Sequence, residues 1–194
     1  MRSARTHSDW KNEDAVHFLT ATTFARHPIF LDDLACELLC QELAFYRGRY
    51  AVDLLAYVIM PDHFHALIFT NGDKTFMDFM KGVKGHFAKA YSDARRQRTA
   101  GSTAHGSHSL EAGCGDPAYA ETIGGLPAGR RERAVIENVW QDGFFDYLVF
   151  SREKLREKLS YIIQNPVENG LAQEPEGYKW LMVDECKVGE YLSW

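Results

Sequence analysis

Val52-Asp53-Leu54-Leu55-Ala56-Tyr57-Val58-Ile59-Met60, then Pro61-Asp62, then His63-Phe64-His65-Ala66-Leu67-Ile68-Phe69-Thr70 is the stretch that decides the fold. Both flanking runs are apolar and rich in β-branched and aromatic residues, as strands are. Proline fixes its own φ and aspartate tolerates tight turns, so the two runs predict a hairpin with a very short connection. Asn71-Gly72-Asp73 ends the second run.

Working outward, Val16 to Thr23 reads as a further strand. Leu31 to Tyr46 reads as a helix with Leu34, Leu38, Leu39 and Phe45 as its apolar positions and Asp32 or Asp33 as its cap. Downstream, Phe76, Phe79, Met80, Val83, Phe87 and Tyr91 recur at helical spacing and predict a helix from Thr75 to Arg98. Residues 99–130 are rich in glycine and small polar residues and read as a flexible insertion. Ala134 to Gln141 reads as a fourth strand. A last helix starts at the N-cap Ser151 and is expected to stop at Asn165, before Pro166. The order strand, helix, strand, strand, helix, strand is that of a split βαβ unit. The expected fold is therefore α+β, a ferredoxin-like (RRM-like) sandwich with a mostly antiparallel four-stranded sheet and helices on one face. One domain is expected over residues 12–180, with 181–194 as a C-terminal tail, and the aromatic stretch from Leu171 to Trp194 is expected to pack back on the domain.

The chain of 194 residues carries 45% hydrophobic and 25% charged residues, an ordinary globular balance. No apolar run is long enough for a bilayer span, and the polar stretch from Met1 to Lys11 lacks a secretory core. A cytoplasmic protein without a membrane partner is expected. Cys36, Cys40, Cys114 and Cys186 do not form a zinc spacing and read as reduced thiols. A net charge of -5 argues against a uniformly basic nucleic-acid binder and leaves room only for local basic patches.

Strand side chains alternate, so His63 and His65 share one face while Phe64 takes the other. Two neutral imidazoles on one face can share a divalent ion. On the last helix Leu155, Leu159 and Ile162 form the apolar stripe. At 100° per residue Lys154, Lys158, Tyr161 and Asn165 fall on another stripe, about 120° away. Tyr161 is thus not placed as an ordinary core aromatic. A tyrosine hydroxyl ionises near pH 10 and is a weak nucleophile at neutral pH, but nearby cations favour its phenolate and a metal-bound phosphate is the better electrophile. Asn165 offers such a metal a third, oxygen ligand. Lys81 and Lys84 on the long helix, Lys154 and Lys158 on the last one, and Arg131 after the insertion are the candidate phosphate contacts.

Tyr57-Val58-Ile59-Met60-Pro61-Asp62-His63-Phe64-His65 resembles the metal motif of the HUH superfamily. Tyr161-Ile162-Ile163-Gln164-Asn165-Pro166-Val167 resembles that superfamily's catalytic-tyrosine helix, and Val139 to Asp146 the segment before it. Gly177-Tyr178-Lys179-Trp180 resembles its aromatic tail motif. Together they resemble a single-tyrosine HUH transposase, closest to the REP-associated tyrosine transposases. The resemblance implies a DNA transposase acting on single-stranded DNA beside a hairpin. It implies Mg²⁺ or Mn²⁺ on His63, His65 and Asn165, and a 5′-phosphotyrosine intermediate on Tyr161. It also admits a homodimer. Asp62 stands where relatives often carry Asn, and Tyr147 and Phe150 stand where His and Arg are common. Two competing readings remain: a catalytically impaired module that only binds single-stranded nucleic acid, and a metal-dependent hydrolase without a covalent step.

Overall fold

The computed structural model describes residues 15–70, 74–102 and 138–193. The predicted hairpin forms as β2 (Asp53–Met60) and β3 (His63–Thr70), joined by Pro61 and Asp62. β1 (Ala15–Thr22) pairs antiparallel with β3 along its whole length. α1 (Asp33–Tyr50) follows β1, and α2 (Phe76–Ser102) follows β3. Asp32 is the α1 cap, its carboxylate accepting from the Leu34 amide at 3.1 Å. The inward face of α1 is Ala35, Cys36, Leu39, Leu43 and Tyr46. Phe45, expected inside, is instead 52% exposed.

The edge strand differs from expectation. β4 is Phe145–Val149, not Ala134 to Gln141. Residues 134–137 of that expected strand lie outside the described residues, and Trp140 makes a single bridge to Thr23. The chain then turns at Gly143, with φ of 70°, before pairing with β1 from Thr20 to Val16. The tail contributes a fifth strand, β5 (Leu181–Val183), which pairs with β2. The sheet is thus five-stranded and wholly antiparallel, in the order β4-β1-β3-β2-β5.

The sheet is covered on both faces rather than one. Leu39 and Leu43 of α1 with Phe79 and Phe87 of α2 pack on Leu19, Phe64 and Ile68. On the opposite face lie α3 (Arg152–Glu168) and α4 (Glu185–Ser193), through Leu155, Ile162 and Val188 on Phe18, Val58 and Leu67. Strand alternation explains the division: every second residue of β3 needs a cover on each side. The α+β ferredoxin-like class stands, with the strand number and the helix placement corrected.

Ser151 caps α3, accepting from the Lys154 amide at 3.2 Å. The helix does not stop at Asn165; Pro166 lies inside it, near its end. A proline there withdraws one amide from a turn about to finish anyway. The Asn169 amide closes on Asn165 at 3.1 Å, and the Leu171 amide on Pro166 at 2.7 Å.

The contact between α1 and α2 is made at Gly82, where any Cβ would run into the ring of Tyr46. That ring is buried and flanked by Phe45, Tyr50 and His86, so it has little room to turn aside. Gly82→Ala is expected to destabilise the fold by about 1–3 kcal/mol, the usual cost of overpacking. Chemical denaturation of the two proteins measures this; unchanged stability would show that α1 and α2 adjust freely.

Candidate functional site

The centre of the sheet holds the site. β3 is flanked by β1 and β2, and His63 and His65 open it on the face covered by α3. Their Nε2 atoms approach to 3.1 Å. Each Nδ1 has its own partner: Asp62 at 2.5 Å for His63 and the Thr20 hydroxyl at 2.7 Å for His65. Thr20 is the residue directly opposite His65 in the β1–β3 register, so its place follows from strand pairing alone.

These partners fix the protons. The Asp62 carboxylate can only accept, so His63 carries its proton on Nδ1 and leaves the Nε2 lone pair bare. Thr20 can donate or accept. With Nε2–H of His65 facing His63, the hydroxyl donates to Nδ1; with that proton moved to Nδ1, it accepts instead. His65 can therefore turn a second lone pair towards the first without losing its hydrogen bond. Burial, and then the neighbouring His63, push the His65 pKa down to about 3, so it is neutral at pH 7. Two bare imidazole nitrogens aimed at one point, each ring held from behind, are what a divalent cation requires. Among the described residues no group of three His, Cys, Asp or Glu side chains could hold a metal. A third ligand drawn from the described residues would be of another type, such as an amide oxygen.

Asp62 is itself held. Arg26 donates to its second oxygen at 2.8 Å. Burial works to raise the Asp62 pKa, but the His63 hydrogen bond, with the charge and hydrogen bond of Arg26, outweighs it and holds the carboxyl below its ordinary range. Arg26 reaches this place from a strained turn, with Ala25 at φ 50° and Arg26 at φ 54°. Such left-handed conformations cost energy in residues other than glycine. Thr23 fastens the turn to the hairpin, its amide and hydroxyl each donating to the Asp62 carbonyl at 2.8 Å. If the two imidazoles hold a divalent cation such as Mn²⁺, Asp62→Ala is expected to weaken its binding roughly 10–100-fold, the usual cost of losing a group that orients a ligand. Calorimetric titration with Mn²⁺ reads this directly, and equal affinity would show that the His63 ring orients itself.

α3 brings Tyr161 to the same place within one chain. Its ring meets His65 edge-on, with centroids 5.1 Å apart, and Phe18 at 5.8 Å. Tyr161 is 43% exposed, so its ring is anchored at one edge and open to water at another. Asn165, one turn further on, is only 3% exposed, and its Oδ1 accepts from Asn169 at 3.1 Å. Lys158 lies between α3 and the sheet, its Nζ 4.9 Å from the Tyr147 ring centroid and 5.3 Å from that of Phe18.

The other expected cations divide. Lys154 is engaged with Glu157 at 2.6 Å on the outside of α3. Lys81 and Lys84 belong to α2, across the sheet from the histidines. Lys81 is exposed. Lys84 is not a free phosphate contact: it donates to the carbonyls of Gln141 and Gly143, while Trp140 donates to the Lys84 carbonyl at 3.0 Å. It clamps the turn that delivers β4. Arg131 lies outside the described residues. Thr20 and Arg26 were not legible, because one threonine in an apolar strand and one arginine in a loop carry no spacing signal.

Residues 13–108, which contain both histidines, match the family model described as "Transposase IS200 like". This part of the chain, just under half of it, belongs to the IS200-like transposase family. The matched residues end before α3, so the helix bearing Tyr161 is joined to the site by its geometry rather than by that match. Among solved structures, this transposase is similar to a REP-associated tyrosine transposase bound to a REP hairpin, at 16% identity and a TM-score of 0.59. That similarity covers 99% of this chain and 88% of the other, and supports the fold. A candidate transposase from Deinococcus radiodurans R1 is similar at 21% identity over 87% of this chain and 97% of that one, with a TM-score of 0.42, too low to support a conclusion. The comparison with curated proteins gave no match. Among the described residues no helix of the transposase is long and apolar enough to cross a membrane.

The low pKa of His65 also sets an acid limit. Unfolded, this histidine takes a proton near its ordinary 6.5; folded, it resists down to about 3. The unfolded state therefore binds more protons between those values, and stability falls as pH falls through that window. The denaturation midpoint of the metal-free transposase should drop from pH 7 to pH 5, and His65→Gln should flatten that slope. A slope unchanged by the substitution would move its origin elsewhere.

Proposed function

We propose that this transposase cleaves and rejoins single-stranded DNA through a covalent bond between Tyr161 and a 5′-phosphate. The observation that carries the reading is the edge contact of Tyr161 with His65, beside two converging imidazole nitrogens. The phenol oxygen attacks the scissile phosphorus. A P–O bond to Tyr161 forms, the P–O3′ bond breaks, and the tyrosine proton is balanced by the one gained at the released 3′-hydroxyl. The reverse attack, by that hydroxyl or another, restores a phosphodiester, so no external energy source is required.

His63 and His65 would hold Mg²⁺ or Mn²⁺, with the Asn165 amide as the third, polar ligand. Such an ion withdraws charge from the phosphate oxygens and so supports attack by a weak nucleophile. Lys158, whose ammonium lies over the Tyr147 and Phe18 rings and pairs with Glu157 at 3.4 Å, is the cation proposed to meet the phosphate. The DNA is proposed to carry a hairpin, as in the complex of the structural relative. The test is incubation with single-stranded hairpin DNA and Mn²⁺, followed by denaturing electrophoresis. A covalent protein–DNA band that maps to Tyr161 by peptide mass supports the proposal. DNA binding without a band would point to a binding module, and free cleaved ends without a band to hydrolysis.

A further inference from the structure

At the end of β4 remote from the histidines, the same sheet face opens into a cavity of about 340 Å³. Val16, Phe69, Leu155 and Tyr191 contribute to its walls, with Phe150 and Arg152 also lining it. The Phe69 and Tyr191 rings pack at 4.9 Å. Tyr191 donates its hydroxyl to Asp53 at 2.7 Å, which turns its polar end to the protein. Phe150 is 70% exposed, so its ring stands open at the rim of the cavity.

Register ties this cavity to the candidate active site. Val149 pairs with Val16 at the cavity, and Phe145 pairs with Thr20, the partner of His65. From Val16 to Thr20 is roughly 13 Å at 3.3 Å per residue. Between them Tyr147 lies beneath Lys158 and 6.2 Å from the Phe150 ring. Phe145 is 58% exposed. β4 is an edge strand. It therefore presents aromatic rings at both ends and a cation in the middle.

We propose that the cavity receives an unpaired nucleobase of the DNA strand whose phosphate lies at Tyr161, with Phe150 stacking on the base and Arg152 meeting the adjoining phosphate. The volume suits a small planar ligand, and apolar walls with few polar groups are usual for such sites. Stacking on aromatic side chains accepts any base, so the site positions the strand rather than reading its sequence. The proposal rests on the DNA chemistry proposed above.

The probe is a single-stranded hairpin oligonucleotide with 2-aminopurine at each unpaired position in turn, bound to full-length Tyr161→Phe. Quenching at one position is expected. Phe150→Ala should relieve it and weaken binding about tenfold, while Phe150→Trp should keep both. DNA that binds with no quenched position overturns the proposal, as does equal quenching and affinity in Phe150→Ala. The covalent band of the wild type is scored separately. A band without quenching removes the base pocket alone; quenching without a band supports the pocket and removes the tyrosine chemistry.

Discussion

Tyr161→Phe is expected to leave a folded, DNA-binding protein that forms no covalent DNA species, with cleavage reduced on the order of a thousandfold or more. The substitution removes one oxygen. The ring contacts with His65 and Phe18 use the edges and faces of the rings and survive it. The ring is 43% exposed, so no core packing is lost. Because the phenol oxygen is the proposed nucleophile, its loss affects the bond-forming step and little else. Gel assays of adduct and cleavage, beside a binding titration, separate these quantities. An adduct formed by the Phe variant would assign the nucleophile elsewhere, and cleavage at the wild-type rate would remove the covalent step.

His63→Ala should be nearly as severe, with cleavage down on the order of a thousandfold, Mn²⁺ binding lost and DNA affinity within a few-fold of wild type. A metal polarising a phosphoryl oxygen lowers the barrier by several kcal/mol, and each ~1.4 kcal/mol is a factor of ten. Of the two proposed ligands, His63 is the cleaner to remove. Its side chain is 19% exposed and stands at the mouth of the site, whereas His65 is buried and its removal would strand the Thr20 hydroxyl. A large fall in DNA affinity with metal binding intact would make His63 a DNA contact rather than a metal ligand.

Much of this was legible in the chain. Pro61-Asp62 between two apolar runs gave the hairpin, and period-two alternation put both histidines on one face, where the structure has them. Helical spacing put Tyr161 off the apolar stripe of its helix, and it is partly exposed while Ile162 is fully buried. Less legible was anything set by long-range pairing. Phe145, Tyr147 and Val149 alternate as a strand should, but five residues beside a glycine turn carry a weaker signal than the longer apolar run before them. Lys84 reads as a solvent-facing cation until the turn at residues 141–143 supplies carbonyls to its ammonium. Arg26 acquires meaning only once the loop after β1 and the hairpin turn meet. Pro166 reads as a stop signal, and only the final geometry shows that it falls where a helix is already ending.

His65 and Tyr161 stand 96 positions apart in the chain (161 − 65), yet their rings touch. A nascent polypeptide emerging from a ribosome therefore exposes its imidazoles long before its phenol. At that stage it has the central strands and the proposed cation ligands, but lacks the proposed nucleophile. The strand cleavage proposed above therefore waits until α3 has been made and has docked on the sheet.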